Sequence, residues 1–397
     1  MGLIKPITIS LSPNIEKDDI WLALKLLFCP WKWKKGKAIE ELENQFKKYL
    51  NVKYAFAFNS GRTCLMAILK SLDLEQESEV LLQAFTCNAA VNPILWNGLN
   101  PVYVDCDENT FNIDQEDLNR KITSKSKVVI VQHTFGLPAK INPGSLILIE
   151  DCAHALGAGV GMSGKAAFFS FSRDKVISSV YGGMVVTNDD ELARKIKEYR
   201  DSIKYPSLFW IKQQLLHPIF MSLILPSYRI KGKYVLVLFQ WLHFMSKAVH
   251  WREKQGKKPS YFPKRMPNAL ALLALNQFKK LERFNSHRKE IADFYFEKLK
   301  NTSFKLPAKD NSVFLRFTIK HSEAHKIIKK MWKKNILIGD WYTNPIAPDD
   351  TDLDKVGYNL GSCPKAEKLS KQTLNLPTHI NISQKDAEKI IDFLKKF

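Results

Sequence analysis

Residues 146–189 read LILIEDCAHALGAGVGMSGKAAFFSFSRDKVISSVYGGMVVTND. The apolar run Leu146–Ile149 has the length of a buried strand, and its end delivers the acidic turn Glu150-Asp151. A second short apolar strand, Ala167–Phe171, carries Ser170 at its end and runs into SRDK, so that Lys175 follows five residues after Ser170. A glycine pair, Gly182-Gly183, then opens a third strand to Thr187. Open α/β sheets bind ligands beyond the carboxyl ends of their strands. A carboxylate, a hydroxyl and an amine gathered at such ends therefore predict both a fold and a place for chemistry within it.

Upstream, Val80–Leu82, Pro101–Val104 and Val128–Val131 are further apolar runs of strand length, with amphipathic helices between most of them. That alternation predicts an α/β fold with a mostly parallel central sheet sandwiched by helices. From about Asn285 the pattern changes to a helix, an alternating strand in SVFLRFTIK, a helix over Glu323–Lys334 and a terminal helix over Gln384–Lys396, which reads as a smaller C-terminal α+β domain. A chain of 397 residues with 45% apolar content suffices for two such domains at roughly 100–200 residues each. The expected division is a large cofactor-binding domain with its N-terminal segment over 1–203, a basic apolar insertion over 204–264, and a linking helix with the small domain over 265–397.

An amine, a hydroxyl, a carboxylate and a glycine turn at these spacings suit an aldehyde cofactor that carries a phosphate. A lysine that condenses with the aldehyde of pyridoxal phosphate, and a carboxylate that keeps the pyridine ring protonated, are the two groups such chemistry requires. Lys175 and Asp151 fit those roles, and the Ser170 hydroxyl suits a phosphate oxygen. One lysine among sixty Lys and Arg carries little weight alone. The segment FNSGRTCLMAILKSL adds to it, because Ser60-Gly61 precedes a helix with apolar Leu65, Ile68, Leu69 and Leu72, and helix N-termini bind anions. The plainer reading of the same segment is an ordinary helix cap by Ser60 or Thr63.

Taken in order, NVKYAFAFNSGRTCLMAIL, AFTCNAAVNPILWNGLNPVYVDCDENTFNID, VVIVQHTFGLPA, LILIEDCAHALGA, FFSFSRDKVISSVYGGMVVTND, NALALLALNQFKKLERFNSHRKEIADFY and LGSCPKAEKLSKQTLNLPTHINIS resemble the DegT/DnrJ/EryC1/StrS sugar aminotransferases of fold type I. The resemblance runs from about Ser12 to the C-terminus. It implies Lys175 as the Schiff-base lysine, Asp151 as the pyridinium partner and Ser170 as a phosphate ligand. It also implies Gly61, Arg62 and Thr63 at the phosphate, the last two through backbone N–H groups, and His154 beside the cofactor ring. Cys87 stands where relatives often carry a stacking aromatic, so stacking falls to Cys87 or neighbouring Phe85, or is weak. Tyr181 replaces a glutamate of the glycine turn. Pro263 lies roughly where an asparagine reaches the partner subunit's phosphate, which leaves Tyr261, Lys264 or Arg265 for that contact. Trp341 and Tyr342 line the substrate pocket or form an aromatic pair in a small core. Retention of Lys175 favours transamination over the dehydration run by a histidine-bearing branch. The implied activity moves an amino group from an amino acid, commonly glutamate, to a nucleotide- or lipid-linked keto-sugar for surface polysaccharide or glycolipid, in a homodimer. The alternative is a non-catalytic cofactor-binding or regulatory protein on the same fold, for which Tyr181, Cys87 and Pro263 speak.

A net charge of +20 invites a nucleic-acid partner, but no helix-turn-helix, RRM or zinc-finger pattern accompanies it. The six cysteines show no paired metal spacing, so reduced thiols and no metal are expected. The N-terminus has no sustained apolar stretch of the signal-peptide kind, which points to the cytoplasm. The remaining oddity is Lys204–Lys264, with eleven Lys or Arg against one acid, Glu253. Pro218 and Pro226 bracket its longest apolar run and Lys233 and Lys247 the next, so neither reaches the ~18 residues that span a bilayer. Two readings remain open: a helix pair in the interfacial layer of an anionic membrane, joined by IWLALKLLFCPWKWKKGK from Ile20, or an insertion packed on its own subunit or a dimer partner. The first places the protein at the inner face of the membrane.

Overall fold

The computed structural model describes residues 5–397, and the first four residues of the N-terminal stretch lie outside it. Among the described residues, nine strands precede residue 190. They are β1 (Ile7–Thr8), β2 (Tyr54–Phe58), β3 (Glu79–Gln83), β4 (Thr86–Cys87), β5 (Asn100–Val104), β6 (Ser126–Gln132), β7 (Ile147–Asp151), β8 (Ala166–Ser170) and β9 (Gly183–Thr187). Seven of them form one sheet in the order β2-β9-β8-β7-β6-β3-β5. From β5 to β8 every pairing is parallel. Strand β9 runs antiparallel to β8 and to β2, because the chain between β8 and β9 turns back through the Lys175 loop without a crossover helix. The sheet is the mostly parallel one that the alternation predicts. Its edge strand Tyr54–Phe58 was not foreseen, since alternate alanines in YAFAF blunt the apolar signal.

Neighbouring residues of the strands enter different cores. Phe169, Met184 and Val186 join Leu42, Phe46 and Leu270 on one face, whereas Phe168 and Val185 join Leu65, Ile68 and Val80 on the other. Side chains of a strand alternate between faces, so a sheet with both faces covered requires continuous apolar runs. Burial of each such side chain contributes about 1.5–3 kcal/mol.

The smaller domain holds the helix Leu281–Leu299, strands β10 (Phe317–Lys320), β11 (Ile336–Leu337), β12 (Ile346–Ala347) and β13 (Thr373–Leu376), and the helices Ala324–Lys333, Pro364–Gln372 and Gln384–Leu394. Strands β10 and β13 pair antiparallel around their own core. Strand β1 pairs with β11, so the N-terminal strand belongs with the small domain although it opens the chain. Strand β12 pairs with β4 and carries the small domain to the site.

The insertion departs from the expectation that proline would cut it. A helix over Leu208–Ile224 passes through Pro218, continues by a 3-10 turn at Leu225–Ser227 and a π turn at Tyr228–Gly232, and runs on as a helix over Lys233–Trp241. Pro226 sits in the first turn of the 3-10 segment, where no backbone donor is needed. The joined run is long and apolar enough to cross a membrane by length and composition, since an 18-residue stretch of it has a mean hydropathy of 1.3, yet 44% of that stretch is buried inside the protein. Trp210, Ile211 and Leu215 enter the core shared with Ala23 and Leu26 of the helix Lys17–Leu27. The backbone N–H of Arg265 donates to the carbonyl of Lys204 at 3.1 Å, so the insertion leaves and rejoins the fold at one point.

Candidate active site

Strand alternation separates the two acids of the Glu150-Asp151 turn. Glu150 accepts hydrogen bonds from the N–H groups of Gly161 (2.9 Å), Ser163 (2.7 Å) and Gly164 (2.9 Å) and contacts His133, so it fastens the loop behind the sheet. Asp151 faces a cavity of about 490 Å³ at the carboxyl ends of β7 and β8. It accepts the N–H of Ala153 at 3.0 Å, and burial pushes its carboxyl up while Lys175 and His133 oppose the shift.

Lys175 and Ser170 line the same cavity. The Lys175 loop is held from the N-terminal segment, where the Asn14 amide donates to the carbonyls of Lys175 (2.6 Å) and Val176 (3.1 Å). Burial pushes the Lys175 amine below the usual lysine range; Asp174, Cys87 and Asp151 oppose this, and Arg316 adds to it. Asp174 forms an ion pair with Arg316 at 3.2 Å, which orients the loop. Arg316 in turn lies over the Trp341 ring, 3.2 Å from its centroid, and Lys175 Nζ lies 4.9 Å from the same centroid. His154 lines the cavity with its ring stacked between Phe135 and Trp341, and burial keeps its imidazole neutral.

At the opposite wall the helix Gly61–Ser71 points its N-terminus at Ser170. A Cβ on Gly61 would lie 3.0 Å from the Ser170 Cβ, so any larger residue there would press on Ser170 by a few tenths of an ångström. Gly61 and Arg62 line the cavity, but Thr63 is fully buried outside it. Its backbone N–H donates to Ser60 Oγ at 3.1 Å, so the plainer cap reading describes Thr63 and corrects its expected role as a donor to phosphate. Arg62 turns its guanidinium away to Glu253 and to the carbonyl of Ala248, both in the insertion.

Cys87 lines the cavity, whereas Phe85 does not. Phe85 has a left-handed backbone (φ 64°), which directs its ring into a core with Phe111, Phe135 and Tyr342 and removes it from the stacking position. Trp341 and Tyr342 both line the cavity, and Tyr342 also packs into that core. Arg265 donates to the carbonyls of Arg200 (2.8 Å) and Ile203 (3.0 Å), so its guanidinium is occupied within its own chain.

Three groups at the site had not been anticipated. Arg316 sits within SVFLRFTIK, where a lone cation in an apolar alternation was the available signal. Ser10–Ser12 reach the cavity from the N-terminal segment. The insertion supplies a whole wall through His217, Met221, Leu236, Gln240 and Lys247–Val249. Tyr181 serves that wall, since its hydroxyl donates to the carbonyl of Lys247 at 2.8 Å and its ring meets Trp210 edge-on at 5.3 Å. Tyr181 is thus joined to the insertion by both its hydroxyl and its ring.

The sequence matches the DegT/DnrJ/EryC1/StrS aminotransferase family over residues 14–207 and 239–395. The chain belongs to this family. Among its relatives, GDP-perosamine synthase of Escherichia coli O157:H7 is 26% identical over 398 residues, covering 97% of each chain. The fold superposes on PseC of Helicobacter pylori, an aminotransferase involved in pseudoaminic acid biosynthesis, with a TM-score of 0.76, 23% identity and 99% of both chains covered. NtdA of Bacillus subtilis, solved with bound cofactor PMP, superposes with a TM-score of 0.75 and 21% identity over 99% of this chain and 85% of that one. The aminotransferase departs from the family pattern at residues 208–238, between the two matched stretches.

The cavity of the aminotransferase fits pyridoxal phosphate, the cofactor of its family. A buried carboxylate without a cationic ring partner is held in an unfavourable state, and a protonated pyridine nitrogen opposite Asp151 would relieve it. The closeness of Gly61 to Ser170 sets a helix N-terminus beside a serine hydroxyl, donors that would suit a phosphate.

Proposed function

We propose that this enzyme transfers the amino group of an amino acid, glutamate by preference, to the carbonyl carbon of a keto-sugar destined for surface polysaccharide or glycolipid. The donor leaves as a 2-keto acid, and the sugar C=O becomes C–NH₂, so that each turnover exchanges one oxo group for one amino group. The observation that carries this reading is that half-buried Lys175 and buried Asp151 line one cavity at the carboxyl ends of adjacent strands.

Bound pyridoxal phosphate supplies an aldehyde that takes the amino group and a ring that withdraws the electrons left when the carbon loses its proton. Lys175 holds the aldehyde and, once displaced, moves the proton with its Nζ. Its lowered affinity for protons suits that work near neutral pH. Asp151 holds the ring nitrogen protonated. Ser170, with the N–H groups of Gly61 and Arg62, receives the phosphate. His154 and Cys87 would be the side chains beside the cofactor ring, and Trp341 and Tyr342 would hold the sugar.

We read the working form as a homodimer whose phosphate contact across the subunit boundary comes from Tyr261 or Lys264, since Arg265 is held elsewhere. Its place is the cytoplasm, in peripheral contact with the inner face of an anionic membrane. The division of the chain at 203/204 and 264/265 is then functional, because the insertion supplies one wall of the site.

Incubation of a panel of keto-sugars with ¹⁵N-glutamate, read by mass spectrometry, should give an amino sugar carrying the label. A cofactor-loaded protein that releases no 2-oxoglutarate with any acceptor would instead support the non-catalytic alternative.

A further inference from the structure

The helix Lys233–Trp241 reads KYVLVLFQW and buries none of its residues. Its inner side, Val235, Leu236 and Phe239, packs on Met221, Ile224 and Met245, and Leu236 and Gln240 reach the cavity that holds Lys175. Its outer side is the stripe Tyr234, Val237, Leu238 and Trp241, exposed by 65%, 64%, 47% and 73%. Those positions follow the i, i+3, i+4, i+7 spacing of one helix face, where a soluble protein places polar residues. Exposed Leu242 and Phe244 follow it.

The exposed charges that the insertion itself carries near the stripe are of one sign. Arg229, Lys231, Lys233 and Lys247 are exposed, while the sole acid of the insertion, Glu253, is buried against Arg62. An apolar helix face fringed by cations complements the boundary between headgroups and acyl chains of an anionic bilayer. Two copies meeting through this face would bring like-charged fringes together, which disfavours a second copy as the occupant. Tyr234, Val237 and Leu238 of the stripe lie in residues 208–238, between the stretches matched to the family, and Trp241 lies just inside the second.

We propose that this stripe docks the enzyme on an anionic bilayer and that the acceptor is a keto-sugar carried on a lipid phosphate. The proposal rests on the aminotransferase reading above. One helix presents the stripe on one side and the cavity wall on the other, so membrane and site are separated by about a helix diameter, roughly 10 Å. A sugar on a lipid phosphate can span that distance while its chains stay in the membrane. Lys247, exposed at the cavity rim, stands ready for the phosphate.

The test uses full-length, cofactor-loaded enzyme and the triple variant Val237→Ser, Leu238→Ser, Trp241→Ser. The parent should float with phosphatidylcholine–phosphatidylglycerol vesicles about tenfold more than with phosphatidylcholine alone, and salt should lower the binding. The variant should lose about tenfold of that binding while keeping its oligomeric state and the cofactor's visible spectrum. Glutamate should shift that spectrum in both proteins. In the parent, a keto-sugar on polyprenyl phosphate in those vesicles should restore it at least about tenfold faster than the same sugar on a nucleotide diphosphate, by the differential binding of the lipid. Equal vesicle binding by parent and variant, or none by either, would overturn the docking. A variant that falls to monomers would assign the stripe to a second copy. Equal or faster restoration by the nucleotide sugar would overturn the lipid acceptor. Failure of glutamate to shift the spectrum would instead sink the aminotransferase reading, leaving vesicle binding to decide the docking independently.

Discussion

Arg62 and Glu253 form an ion pair between the first turn of the helix Gly61–Ser71 and the insertion, with Glu253 fully buried and Arg62 nearly so. Burial pushes the Glu253 carboxyl up and Arg62 opposes it, so each charge is tolerated because the other is there. Removing one partner of a buried pair leaves an uncompensated charge and costs about 3–5 kcal/mol. Glu253→Ala should therefore lower the stability of the protein by roughly that amount in urea unfolding. The double change Arg62→Met, Glu253→Leu should be milder than the single one, and an equal or larger loss in the double variant would contradict this account.

Lys175→Ala should abolish the visible absorption of the bound cofactor while circular dichroism stays that of the parent, and turnover should fall by at least about 10²-fold with the loss of the proton-transfer group. Asp151→Asn should keep the absorption band yet lose most turnover, because an amide does not hold the ring nitrogen protonated. An unchanged band in Lys175→Ala would remove Lys175 from the site.

His379 donates to the carbonyl of Thr8 at 2.7 Å, and burial pushes its pKa down to about 3. Between an unfolded value near 6.5 and that folded value, the unfolded chain binds the proton and the folded one does not, so stability falls as pH falls through this window. His379→Gln should flatten that part of the stability profile, measured by urea unfolding from pH 7 to pH 4. A slope identical to the parent's would exclude His379 as its source.

Sedimentation at micromolar concentration should give a dimer or larger assembly, with the proportion of assembled protein following activity on dilution. A fully active monomer would contradict the homodimer.

The parts of the site written in contiguous sequence were legible. Asp151 and Ser170 end apolar runs, and Lys175 follows on the same segment, so local pattern suffices to place all three. Contacts made over long sequence separations were not legible. Arg316 meets Asp174 across 142 positions, and no spacing rule relates them. Phe85 is adjacent to the site in sequence, but its left-handed backbone turns the ring away, a choice made by the Phe111–Phe135 core. The prolines of the insertion resemble helix ends in sequence, because neither the helix that tolerates Pro218 nor the 3-10 turn that takes up Pro226 leaves a signature in residue type.

The contact of Arg265 with Lys204 makes the insertion a closed excursion. A loop whose two ends already touch can grow by tens of residues at little cost in closure entropy, and it leaves the register of every strand unchanged. New surface and new pocket wall were thus open to evolution at this position without renegotiating the sheet. What ties the segment to this scaffold is side-chain contact: Trp210, Ile211 and Leu215 in the shared core and Glu253 on Arg62 are the moorings that any relative receiving it would have to match.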